Sequence, residues 1–126
     1  MNLPEDRKYT ENSLWLKKDG KDYKVGLAKP CAEKAEEFLF IKLPEEGEKF
    51  EEGEILIEYE AMKRVGELET PVDAEVVEVN REMVENPGKI VEDPYEAWLV
   101  KIRPQENFEG KILTEKNAKR YYQKEI

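Results

Sequence analysis

The chain has 126 residues, 40% of them charged, and 30 acidic against 21 basic side chains leave a net charge of -9. That length predicts one domain spanning 1–126, and the acidic balance argues against nucleic acid or an anionic membrane as a partner. Histidine is absent and Cys31 is the single cysteine, which excludes imidazole metal sites, Ser-His and Cys-His nucleophile pairs, and any internal disulfide.

A hydrophobic share of 39% is enough for a folded core. No apolar run approaches the length of a membrane span, and the opening MNLPEDRKYT lacks the apolar centre of a signal peptide. A cytoplasmic monomer is therefore expected. Cys31 is read as a small buried side chain, because cysteine is among the most buried residue types.

Residues 1 to 12 read as a polar lead-in. Leu14 to Lys17 and Tyr23 to Leu27 carry strand signals around the turn-forming Lys18-Asp19-Gly20, with Tyr23, Val25 and Leu27 on one face. Pro30 suits the first turn of a short helix in which Cys31, Ala35 and Phe38 or Leu39 share a side. Phe38 to Leu43 returns to strand character, with Leu39, Ile41 and Leu43 predicted inward, and Pro44-Glu45-Glu46-Gly47 closes it.

From Gly53 to Ala74 the pattern is strand, tight turn, strand. Ile55, Ile57 and Tyr59 alternate with Leu56, Glu58 and Glu60, and Val65, Leu68 and Val72 space the returning arm. Lys63 falls at the tip. Val76, Val77 and Val79 continue as strand, and Asn80 to Asp93 is a polar excursion turning at Asn86-Pro87-Gly88. Trp98, Val100 and Ile102 are predicted to share one face of a later strand. Thr114 is a candidate N-cap for a C-terminal helix over 114–126 with Ala118, Tyr121 and Tyr122 as its apolar side. These elements predict a mainly β fold, a β-sandwich or flattened barrel with short peripheral helices and the C-terminal helix.

Catalytic apparatus is not visible. The pairs Glu45-Glu46, Glu51-Glu52 and Glu58-Glu60 sit in charged stretches that read as solvated surface, and there is no phosphate-binding glycine loop, nucleophile elbow or metal-ligand spacing. The protein is expected not to be an enzyme. A lysine at a hairpin tip is by itself one surface charge among many.

An ordered series of segments changes the weight of Lys63. Tyr9-Thr10 before Trp15, Val25-Gly26-Leu27, FLFIKLPEEG, Gly53, EAMK, TPVDAEVVEVN, Asn86-Pro87, Asp93-Pro94-Tyr95 and Trp98 to Ile102 together resemble the glycine cleavage system H protein family, from about residue 8 to the C-terminal helix. The resemblance implies a fold of the lipoyl-domain type, lipoate attached covalently to Lys63, and Glu60 as the flanking acidic recognition residue. It implies a carrier that shuttles an aminomethyl group among glycine decarboxylase, aminomethyltransferase and dihydrolipoamide dehydrogenase, after a lipoate ligase or transferase installs the arm. Glu58, Glu60, Glu67 and Glu69 would steer docking to basic partner surfaces. Ala61-Met62-Lys63 is also the local signature of biotin carriers, but Arg64 follows where those usually have Met.

The chain departs from the family pattern at several places. Ser13-Leu14 stands where His-Glu is common, Pro30 where His is usual, Glu36 where Gly is usual, and Asp73-Ala74 where Ser-Gly is usual. Glu96-Ala97 also lacks the family's glycine before Trp98. Two other readings stand beside glycine cleavage: an H-like lipoyl carrier for a sulfur-oxidising, heterodisulfide-reductase-like complex, and an unmodified binding module that kept the fold.

Overall fold

A computed structural model describes residues 2–105 and 112–124. In chain order the elements are β1 (Lys8–Tyr9), β2 (Leu14–Asp19), β3 (Asp22–Leu27), α1 (Lys29–Ala35), β4 (Phe38–Lys42), β5 (Lys49–Phe50) and β6 (Ile55–Ala61). There follow β7 (Val65–Glu69), β8 (Ala74–Val79), α2 (Arg81–Glu85), α3 (Gly88–Glu92), β9 (Trp98–Pro104) and α4 (Glu115–Lys124). None of the described helices is long and apolar enough to cross a membrane.

Two antiparallel sheets face each other, one of six strands in the order β1-β2-β3-β9-β8-β5 and one of three in the order β4-β6-β7. Leu16, Val25, Val100 and Ile102 from the large sheet meet Ile41, Ile57 and Leu68 from the small one in a single apolar core. This is the expected sandwich, and its stability rests on removing both inner faces from water.

The strands are less regular than simple alternation predicts. Leu39, Leu56 and Leu99 are each the extra residue of a β-bulge, where the register slips by one against the neighbouring strand. A bulge puts two consecutive side chains on altered sides. Phe38 and Ile41 are therefore core while Leu39 is 59% exposed, and Leu56 and Ile57 are both buried while Ile55 is open to solvent. In β9 the slip moves Trp98 away from Val100 and Ile102, whose face it was predicted to share, into a second cluster.

That cluster joins Tyr9, Trp15, Ala28, Ala118 and Tyr122. Trp15, Gly26 and Trp98 lie in one row across β2, β3 and β9, and a Cβ on Gly26 would come within 2.4 Å of the Trp15 ring. Glycine is thus the residue that lets the ring lie flat on the strand. The Trp15 indole N–H donates to the Pro94 carbonyl at 3.0 Å. Helix α4 closes over the cluster, begun by Thr114, whose Oγ1 accepts from the Asn117 N–H at 3.2 Å. The expected helix extends to Ile126; its last two residues, Glu125 and Ile126, lie outside the described ones.

Two further expectations are corrected. The first helix stops at Ala35, so Phe38 belongs to β4 and not to the helix face. Residues 80 to 93, expected as a polar excursion, form two short helices, and the expected turn at Asn86-Pro87 separates them. Met83 and Ile90 are their buried anchors, and a single apolar residue per five-residue helix is too sparse to register as periodicity.

Candidate functional site

The β6–β7 hairpin carries the site. Glu60 pairs with Val65, and the Ala61 N–H donates to the Arg64 carbonyl at 2.8 Å, leaving Met62 and Lys63 as the two residues of the tip. Neither has a positive φ, so the turn is not one of the primed types usual in two-residue hairpins. Its geometry is set from outside. The Met62 N–H donates to the Glu37 carbonyl at 2.8 Å, tying the tip to the segment between α1 and β4.

Helix α1 places that carbonyl. Pro30 occupies its first turn and Cys31, Ala32 and Ala35 face the core. At its end Glu36 adopts φ 65° and ψ −64°, and the Glu37 N–H reaches back to the Ala35 carbonyl at 2.8 Å. This is the γ-turn of positive φ, rare and strained for a residue with a side chain. Such a conformation costs on the order of 1–3 kcal/mol. It turns the chain sharply, so that Glu37 meets Met62 and the Glu36 carboxylate lies 4.0 Å from the Lys63 Nζ. The two side chains are 55% and 62% exposed, and an ion pair in that much solvent contributes about 0–1 kcal/mol. The pair does not offset the turn.

The root of the hairpin is rigid. Tyr59 is buried against Phe38, ring edge to face at 5.1 Å, and its hydroxyl lies 3.6 Å from the Cys31 Sγ. Gly66 pairs directly opposite Tyr59. Burial pushes the Cys31 thiol and the Tyr59 phenol above their ordinary ranges, so neither supplies an anionic nucleophile at neutral pH. Cys31 is buried, as its residue type predicts.

On the solvent face of the small sheet, Phe40, Glu60 and Val65 form one row across the three strands, and Lys42, Glu58 and Glu67 form the next. They enclose a groove of about 360 Å³. Glu58 and Glu67 stand opposite each other, an unfavourable like-charge pair, which Lys42 relieves from 3.4 Å on Glu58. Glu60 therefore lies on this exposed sheet face, between two apolar side chains. The carboxylate beside Lys63 is that of Glu36, which sequence spacing did not bring near it. The one available signal was an acidic residue at a turn position where glycine is usual.

A second depression of about 610 Å³ lies between α1 and β7, lined in part by Ser13, Pro30, Cys31, Arg64, Gly66 and Tyr122. Ser13 and Pro30 line this cleft, and of the departures in sequence it is Glu36 that stands beside the lysine. Among the described residues no group of three or more Cys, Asp or Glu side chains is arranged to hold a metal ion.

A primary amine held out on a hairpin, paired among the described residues with the Glu36 carboxylate, suits a protein that bears a group for others to act on. Fold and site together define a carrier of the presented-lysine type. The chain belongs to the glycine cleavage H-protein family, whose sequence model matches residues 7–126. It is 39% identical over 115 residues to the probable glycine cleavage system H protein of Pyrococcus furiosus, covering 90% of this chain and 84% of that one. It is 38% identical over 105 residues to the glycine cleavage system H protein of Bacteroides fragilis, covering 82% and 83%. The crystal structure of a glycine cleavage system H protein from Mycobacterium marinum superposes with a TM-score of 0.84 at 33% identity, covering 98% of each chain. Members of this family are lipoyl carriers and not catalysts.

Proposed function

We propose that Lys63 is the lipoyl attachment point and that the chain serves glycine cleavage in the cytoplasm as a monomeric carrier of aminomethyl groups. The observation that carries this reading is the exposed Lys63 amine at a hairpin tip, in a chain that matches the H-protein family nearly end to end. The residues fit the group: an amide on Nζ needs a side chain free of the core, and 62% exposure supplies it. When attached, lipoate supplies a dithiolane that takes up the aminomethyl group left by glycine decarboxylation and yields it toward tetrahydrofolate. The partners in this reading are glycine decarboxylase, aminomethyltransferase and dihydrolipoamide dehydrogenase, with a lipoate ligase or transferase installing the arm.

The chain's own part is presentation. The Met62 to Glu37 hydrogen bond fixes where the arm begins, and the packed Tyr59 keeps the hairpin from bending with it. The exposed Glu60 and Glu67 and the half-buried Glu58 give the surrounding face a negative potential that favours basic partner surfaces.

Intact mass after co-expression with lipoate ligase tests the assignment. Wild type is expected to gain one lipoyl group and Lys63→Arg none; an unshifted wild type, or a variant that gains the same mass, would sink it.

A further inference from the structure

We propose that Glu36 is a second acidic specificity determinant for acylation of Lys63, acting beside Glu60 from a different segment of the chain. The proposal rests on the reading of Lys63 as the acceptor and adds a residue to it. Glu36 is a strained residue whose side chain the fold does not use: it is exposed, and among the described residues its one ion pair is with Lys63. Its backbone alone makes the turn that holds Met62, and glycine would make that turn without strain. Strain kept at a functional site points to the group it positions. Here that group is a carboxylate set beside the acceptor nitrogen.

The chemistry of acylation gives the carboxylate a use. In the step considered, the neutral Lys63 amine attacks the acyl carbon of a lipoyl adenylate, made by the ligase from lipoate and ATP. The N–C bond forms, the C–O bond to phosphate breaks with its electron pair leaving on AMP, and the nitrogen's proton passes to water. An enzyme that holds an anionic acyl phosphate surrounds it with positive charge. Acidic groups flanking one lysine complement that rim and mark this lysine among the others. Glu60 stands on the sheet face below the tip and Glu36 on the turn after α1, so two segments are read only when the hairpin is folded onto α1.

The test uses the full-length unmodified protein with lipoate, ATP and lipoate ligase, and follows initial rates by intact mass. Glu36→Gln is expected to lower kcat/KM about tenfold, through KM, and to weaken its salt dependence. Glu36→Asp is expected to keep most of the wild-type rate. Glu36→Gly is expected to acylate as slowly as Glu36→Gln while its Tm rises above wild type, which separates the carboxylate's role from the turn's. Wild-type kcat/KM in Glu36→Gln or Glu36→Gly would overturn the proposal, as would Glu36→Asp being as slow as Glu36→Gln. Acylation of Lys63→Arg would instead overturn the acceptor assignment, independently of what the Glu36 variants do.

Discussion

Gly66 shows how closely the hairpin is fitted at the level of single atoms. It sits opposite Tyr59, and a Cβ there would overlap carbons of the Tyr59 ring. The ring has nowhere to go, being packed on Phe38 and held near Cys31. Gly66→Ala is expected to cost about 1–3 kcal/mol, the usual range for overpacking, read as a drop in denaturation midpoint; a neutral result would mean the ring is free to shift. Residue identity made some of this legible. Cys31 reads as buried from its type, and Lys63 as the tip from its place between two strand patterns. Tyr59 under Gly66 was not legible, because pairing across a hairpin depends on which two residues form its tip, and that is fixed here by a hydrogen bond from Met62 to the distant Glu37.

Among the elements, α4 is anchored by Tyr122 together with the buried Ala118. The Tyr122 hydroxyl donates to the Thr10 carbonyl at 2.6 Å, and its ring meets Tyr9 edge to face at 6.5 Å. Burial, first of all, pushes the Tyr122 phenol well above its ordinary value. A phenol held protonated in the folded state contributes stability that is complete below the unfolded value of about 10 and is lost as pH rises above it. Tyr9 and Tyr59 act in the same direction, also through burial. Tyr122→Phe is therefore expected to lose about 1 kcal/mol at neutral pH and to show a shallower fall in Tm above about pH 10. An alkaline profile parallel to wild type would remove the phenol from the account. This helix was legible from Thr114 and its apolar side. The helices α2 and α3 were not, since Met83 and Ile90 are buried in a core built largely from elements distant in sequence.

For the molecule as a whole, the net charge of -9 is a long-range property with a measurable consequence. If partner enzymes meet the acidic face around Lys63, KM for this protein in glycine–bicarbonate exchange is expected to rise several-fold from about 0.01 to 1 M salt, as the Debye length falls from about 30 to about 3 Å. A KM indifferent to salt would move docking to apolar contacts such as Phe40 and Val65. By itself the sequence determined the mainly β character, the hairpin with Lys63 at its tip, the terminal helix and the family, because local alternation, turn residues and ordered motifs are written along the chain. Only the tertiary structure decided which carboxylate stands beside the lysine. Glu36 and Lys63 are 27 positions apart (63 − 36), and they meet because a strained turn and one backbone hydrogen bond fold the α1–β4 segment against the hairpin tip. Backbone hydrogen bonds of that kind are available to any residue type, so nothing in the side-chain pattern announces them.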